Sequence, residues 1–323
     1  MLTDKLFEKV LIAPAKSGAD RLYVVSGYAT PSMVYKHFYE KGMGNFQVSL
    51  IIGMSSIEGI ARAYHQEFKD LAQRDYKGRF ECWYMTKLPP VHSKAYGWFA
   101  GNKPRQAFAG SANYTQNAFM EKQREVMVDA DPAEVLSYFR SLLSESINCL
   151  DSKVERVIKL VDIERRRTKV PTQPTIVASP RLLPVVLGDD APAVRVSLLD
   201  NKGQLPQRSG LNWGQRPEYR RNPDQAYIRL SSDVYTQKFF PPRGKHFTIV
   251  TDDGQTFDAV IAQDRGKAIE THFDNAFLGR YFRQRLGLAS GSRVELSHLT
   301  QYGRTDIDFM KIDDETYYLD FSV

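Results

Sequence analysis

The sequence predicts two domains. The first is an α/β half with a mixed sheet and flanking helices, and the second is a mostly β half forming a small pseudobarrel. Three observations carry this. Up to residue 150, short β-branched and aromatic runs alternate with amphipathic stretches of helical period. Beyond about residue 190 the texture changes to short strands cut by Gly, Asp, Asn and Pro. Between them lies KVERVIKLVDIERRRTKVPTQP, which holds Arg165, Arg166 and Arg167 in a row and in which Pro171 and Pro174 mark a boundary. The expected limits are 1–150, a charged helical linker over 151–173, and 174–323. A chain of 323 residues is long enough for both domains.

Taken in order, residues 3–18 read as a helix opened by Thr3 and Asp4, with Leu6, Phe7, Val10 and Leu11 on one face. Arg21–Val25 is a buried strand ended by Ser26-Gly27, and Pro31 suits the first turn of the next helix. Gln47–Ile52 is a strand and Ser56–Gln73 an amphipathic helix, with His65 on its surface. Phe80–Met85, Val91–Phe99, Gln106–Ala109 and Glu125–Val128 are strands, and Pro132–Leu150 closes the domain as a helix. In the second half VRVSLL, AYIRLS, HFTIVT, TFDAVIAQ, RVELSHL and TYYLDFS read as strands. Asp252-Asp253-Gly254 is a hairpin turn between two of them, and Asn275–Leu286 is a helix. The closing stretch holds Asp306, Asp308, Asp313, Asp314 and Glu315, which would repel a polyanion; its alternation points to a closing hairpin.

Composition narrows the function. The balance is modestly basic, 44 Lys and Arg against 38 Asp and Glu, for a net charge of +6. That suits a polyanionic partner. Cys82 and Cys149 stand apart without metal-ligand spacing, which argues for a reducing compartment and against structural zinc. The N-terminus lacks an apolar signal-peptide core and no run approaches the roughly 18 apolar residues of a membrane helix. A soluble, cytoplasmic protein is expected.

One stretch carries chemistry. His92 and Lys94 are two residues apart, and Gly110-Ser111-Ala112-Asn113 follows across two alternating segments that read as a hairpin. On adjacent strands His92, Lys94 and Asn113 converge, because side chains on a strand repeat every second residue. A neutral imidazole attacks phosphorus and holds a phosphoryl group covalently. Lys94 neutralises the charge that builds on the oxygens, in place of a divalent ion. Asn113 and the Ser111 hydroxyl add hydrogen bonds.

His-x-Lys followed by Gly-Ser-x-Asn resembles the signature of the phospholipase D superfamily. The superfamily often has an Asp soon after the Lys. Here Phe99 and no acid stands nearby, as in its metal-independent nucleases, which use a Glu after the Asn. Glu125 occupies that place and would hydrogen-bond a His and fix its tautomer. The signature occurs once, whereas the two-step reaction needs a nucleophile and an acid for the leaving oxygen. Two chains sharing their histidines across a twofold axis would supply both.

The loop from Arg208 to Asn222 mixes the side chains that read base edges with aromatics. Its candidates are Arg208, Asn212, Trp213, Gln215, Arg216, Arg220 and Arg221. A second loop offers Gln263, Arg265, Lys267 and His272. With SGLNWGQR, FFPPRGKHFTIVTDDGQTF, LGRYFRQRLG and YGRTDIDFMKIDDETYYLDF, the whole chain resembles restriction endonucleases that join a phospholipase D-like nuclease domain to a plant B3-type recognition domain. The resemblance implies a sequence-specific endonuclease that needs no metal or other cofactor. Its partners would be double-stranded DNA, a second copy bound through the nuclease domain, a cognate DNA methyltransferase and a separate ATPase or helicase-like subunit, since the chain has no P-loop. The alternatives are a phospholipid-processing enzyme, which would need an apolar membrane-facing surface, and a non-catalytic DNA-binding protein, against which the intact His92, Lys94 and Asn113 argue.

Overall fold

A computed structural model describes residues 1–40, 42–120, 123–165, 185–187 and 191–323, without the side chains of 163–165, 185–187 and Arg265. Arg166, Arg167, Pro171 and Pro174 of the expected linker lie outside these residues. The chain divides into two compact units, Met1–Val186 and Leu187–Val323.

The first unit is a seven-stranded mixed sheet between two apolar layers. Its strands are β1 (Arg21–Ser26), β2 (Gln47–Ile52), β3 (Phe80–Met85), β4 (Lys94–Ala100), β5 (Lys103–Gly110), β6 (Met127–Ala130) and β7 (Ser146–Asn148). They run in the order β6-β5-β4-β1-β2-β3-β7. The central β1, β2 and β3 are parallel, and β4 pairs antiparallel with β1. Alternation along each strand feeds both layers. Leu22, Val24, Leu50, Tyr96 and Trp98 face a core shared with the helix α1 (Pro31–Tyr39), while Val25, Ile51 and Ala95 face α3 (Pro132–Leu143) through Val135 and Phe139.

Several elements depart from expectation. The first helix is π-helical over Phe7–Ile12 and continues as Ala13–Lys16; Thr3 and Asp4 do not cap it. The stretch read as one helix over 56–73 is broken. Ser55–Glu58 forms one turn, Gly59 takes φ +81°, and α2 (Arg62–Asp70) begins afresh. Only Gly enters that left-handed region at little cost. His65, expected on the surface, is 5% exposed, with Nδ1 3.1 Å from the Tyr84 hydroxyl. The closing helix stops at Leu143, and Ser146–Asn148 adds a strand to β3. Val154 and Ile158, in the expected linker, are buried in the first core, and Leu160–Val161 pairs with Ile60–Ala61.

The second unit is a nearly closed seven-stranded sheet, a B3-like pseudobarrel. Its strands are β8 (Ala193–Ser197), β9 (Ile228–Arg229), β10 (His246–Thr251), β11 (Thr256–Ala262), β12 (Ala268–Thr271), β13 (Asp306–Lys311) and β14 (Thr316–Asp320). They run β8-β13-β14-β10-β11-β12-β9, all antiparallel except β14 beside β10. The Asp252-Asp253-Gly254 turn joins β10 to β11, and the acidic closing stretch forms the β13–β14 hairpin. Besides the short helical turn Ser232–Thr236, two longer helices accompany the sheet, α4 (Asn275–Arg285) and α5 (Leu296–Tyr302). The second overturns the strand expected at RVELSHL. Its N-terminus is capped, the Glu295 N–H donating to His298 Nδ1 at 3.0 Å.

Candidate active site and candidate nucleic-acid interface

The two motifs meet in register, with Lys94, the first residue of β4, directly opposite Gly110, the last of β5. Gly110 is required by a close approach. A Cβ there would lie 2.0 Å from the Val126 carbonyl oxygen. His92 lies in the loop just ahead of β4, not on the strand as expected, and is exposed.

Lys94 is the buried member, 6% exposed. Its ammonium donates to the His92 carbonyl at 2.6 Å and lies 3.2 and 3.4 Å from the two His92 ring nitrogens. Among the described residues no carboxylate comes within 4.0 Å of it. Burial holds its pKa below the ordinary lysine value, and the field of Glu125 partly offsets this.

Asn113 stands across Gly27 from His92. A Cβ on Gly27 would lie 3.3 Å from His92 Cδ2 and 3.4 Å from Asn113 Oδ1. A larger residue would therefore press on both groups. The Tyr28 N–H donates to Asn113 Oδ1 at 3.1 Å and the Ser26 hydroxyl at 3.4 Å. That fixes the carboxamide: Oδ1 is occupied, and Nδ2 is the donor end, with no protein partner among the described residues. The segment itself is pinned, Tyr114 N–H donating to Ser26 Oγ at 2.9 Å and Tyr96 OH to the Ala112 carbonyl at 2.7 Å.

Ser111 and Glu125 form a pair of their own. The Ser111 hydroxyl donates to Glu125 Oε2, and Val126 N–H donates to Ser111 Oγ at 3.0 Å. Glu125 thus bonds Ser111 and not His92, a correction to its expected role as a tautomer-fixing acceptor. It acts on the site through charge, on Lys94. Ser26 and Gly27 read from the sequence only as a strand end, and neither they nor Tyr28 and Glu58 stand among the expected site residues. The only signal was a Ser-Gly-Tyr at the end of the first strand. Among the described residues no group of three or more His, Cys, Asp and Glu side chains is placed to hold a metal ion.

In the second unit the candidate residues separate into two kinds. Asn212 is fully buried. Its Nδ2 donates to the Pro206 and Val294 carbonyls at 3.1 and 2.8 Å, and its Oδ1 accepts from Val294 N–H at 2.9 Å. Gln215 donates to the Pro223 and Gly291 carbonyls. Both amides are spent inside the unit, which corrects their expected place among base-reading groups. Trp213 is covered by the Arg221 guanidinium, 4.2 Å from the ring centroid, and Arg221 also bonds Gln225. Arg208 is exposed, ion-paired with Glu218, and its carbonyl accepts from Arg216 Nε at 2.7 Å. Arg220 and Tyr219 are exposed, and Arg220 sits at φ +51°.

The second loop is similarly mixed. Gln263 donates to Glu270 at 2.9 Å, Lys267 is exposed, and His272 is half-buried with its ring 4.5 Å from that of His246. The side chain of Arg265 lies outside the description. Arg283, passed over as a loop anchor, is 1% exposed and donates to the carbonyls of Leu211, Pro223, Gly279 and Ser292 while pairing with Asp224 at 3.2 Å. It ties both ends of the 208–222 loop to α4.

Two family models match the chain. The NgoFVII restriction endonuclease N-terminal PLD domain matches residues 4–156, and the NgoFVII C-terminal B3-like DNA-binding domain matches residues 186–313. Among solved structures, NucT from Helicobacter pylori is 18% identical, with a TM-score of 0.30 over 42% of this chain and 87% of that one. Nuc from Salmonella typhimurium, a phospholipase D family member, is 13% identical, with a TM-score of 0.30 over 43% of this chain and 87% of that one. No curated protein matches.

Proposed function

The chain belongs to the NgoFVII family of restriction endonucleases, DNA endonucleases that join a phospholipase D nuclease domain to a B3-like DNA-binding domain, and we propose that it cuts DNA through a covalent phosphohistidine on His92 without a metal ion. In the first step a His92 ring nitrogen attacks phosphorus. A nitrogen–phosphorus bond forms, and the bond to the leaving oxygen breaks as that oxygen takes a proton from His92 of the partner subunit. In the second step water attacks the phosphohistidine, giving its proton to the partner subunit's His92, and the nitrogen–phosphorus bond breaks. Lys94 and the Nδ2 end of Asn113 hold the phosphate oxygens. Ser111 and Glu125 brace the turn that carries Asn113 and supply negative charge beside Lys94.

The carrying observation is Lys94: a buried ammonium against an exposed imidazole, with no carboxylate within ion-pairing distance among the described residues. Such a charge is costly unless an anion arrives. A phosphate about 4 Å away would supply roughly 4 kcal/mol of attraction at an effective dielectric near 20. The twofold dimer is supported by the single motif and by His92 standing exposed. The exposed Arg208, Arg220 and Lys267 and the half-buried Arg216 are the groups proposed to meet DNA. A methyltransferase that protects host sites and an ATPase-bearing subunit are further proposed partners, the second because this chain has no P-loop. Among the described residues no helix is long and apolar enough to cross a membrane.

The test is cleavage of plasmid and phage DNA in EDTA. Discrete fragments are expected, and His92→Ala is expected to bind DNA and leave it intact. A requirement for magnesium, or normal cutting by His92→Ala, would sink this mechanism.

A further inference from the structure

Tyr28 follows Gly27 in the turn that leaves β1, and its parts reach separate neighbours. Its N–H donates to Asn113 Oδ1 at 3.1 Å. Its carbonyl accepts from the Ser26 hydroxyl at 2.6 Å. Its ring stands edge-on to the His92 imidazole, centroids 6.0 Å apart and planes at 83°. Its hydroxyl donates to Glu58 Oε1 at 2.8 Å. One residue thus touches both motif groups from the side opposite Lys94's strand partner, Gly110.

We propose that Tyr28, latched by Glu58, is a positioning residue of the phosphodiester-cleaving site, holding the His92 ring and the Asn113 amide in their reacting geometry. This rests on the reading of His92 as nucleophile. His92 needs such a brace because it sits in an exposed loop ahead of β4. Beside Lys94 and Gly27, the Tyr28 ring stands edge-on against its imidazole. A nucleophile displaced by about 1 Å loses on the order of 100-fold in rate. Tyr28 can brace the ring only if it is itself held. Its phenol is tied to Glu58, the last residue of the Ser55–Glu58 turn, whose exit is set by the Gly59 bend and the Ile60–Leu160 pairing.

Glu58 points the same way. Its second oxygen, Oε2, is buried with no hydrogen-bond partner. An unsatisfied buried carboxylate oxygen costs stability, and such costs concentrate at functional sites. The phenol keeps its proton well into alkaline pH, because burial and the Glu58 carboxylate push it up to about 12.

The experiment measures single-turnover cleavage at saturating DNA, DNA affinity and melting temperature for Tyr28→Ala, Tyr28→Phe, Glu58→Ala, Glu58→Gln and, as control, His92→Ala. Tyr28→Ala is expected to slow cleavage about 100-fold with DNA affinity unchanged. Glu58→Ala is expected to slow it, and Glu58→Gln, which keeps an oxygen for the phenol, to restore it. A merely structural role would lower affinity and melting temperature together and show no rescue by Gln. Should Tyr28→Ala fail to fold, Tyr28→Phe decides, since it keeps the ring and loses the latch; slowed cleavage supports the role. Wild-type rates for the Tyr28 variants beside an inactive His92→Ala overturn the positioning role alone. Normal cutting by His92→Ala removes the nucleophile reading, and the positioning role with it.

Discussion

Lys94 concentrates the tension between stability and chemistry. Its ammonium is buried against His92, and burial alone disfavours the charge. Replacing it by Met, nearly the same shape without the charge, is therefore expected to raise the melting temperature of the first unit. The same change is expected to cut the cleavage rate about 100- to 1,000-fold, the usual loss when one preorganised donor is removed from a charge-stabilising site. Calorimetry and single-turnover cleavage on Lys94→Met check both; a lower melting temperature would mean that the charge is already compensated. Gly27 and Gly110 are the other residues fixed by contact: a Cβ on Gly110 would lie 2.0 Å from the Val126 carbonyl oxygen, and one on Gly27 would crowd His92 and Asn113 at 3.3 and 3.4 Å.

At the scale of elements, the 208–222 loop is held from inside and open outside. Asn212, Gln215 and Arg283 spend their polar groups on backbone carbonyls, while Arg208 and Arg220 are exposed and Arg216 is half-buried beside them. Asn212→Ala is expected to lower the stability of the second unit by about 1–3 kcal/mol, because it strands buried partners. Denaturant titration measures this. Arg216→Ala is expected to leave stability unchanged and to weaken specific DNA binding by about 1–3 kcal/mol if it reads a base. Equal affinity for the preferred site would remove Arg216 from the interface. The acidic hairpin behaves differently from its first impression: Arg304 pairs with Asp306, Asp308 and Asp320, and Arg195 with Asp308, so part of its charge is met within the unit.

For the whole molecule, acid acts through buried histidines. His37 is fully buried, with Nδ1 2.7 Å from the Tyr114 hydroxyl and Nε2 3.2 Å from the Leu11 carbonyl, and burial pushes its pKa down to about 3. His65 is pushed down to about 4, chiefly by burial. Below the ordinary histidine value of about 6.5 the unfolded chain binds protons that the folded one refuses, so stability falls as pH drops towards these values. For His37 alone the loss between pH 7 and pH 4.5 is on the order of 2 kcal/mol. Unfolding free energy measured over that range is expected to slope downward, and His37→Phe to flatten the slope while lowering stability at pH 7.

Much of this molecule could be read from its residues alone. The periods of two and of about 3.6, the change of texture beyond about residue 190 and the paired motifs pointed to an α/β unit, a β unit and a phosphate-handling pair, because those signals depend on near neighbours in the chain. Signals from far along the chain could not be read that way. The bend at Gly59, the helix at 296–302 and the burial of His65 depend on packing partners. Asn212 looked like a base reader because its chemistry is the same in a core as on a surface; only its distance from Pro206 and Val294 decided its role. Tyr28 and Glu58 carry no motif. They meet His92 and Asn113 only because the sheet order sets β1 beside β4, a choice made by burial across the whole unit and not by any local run of residues.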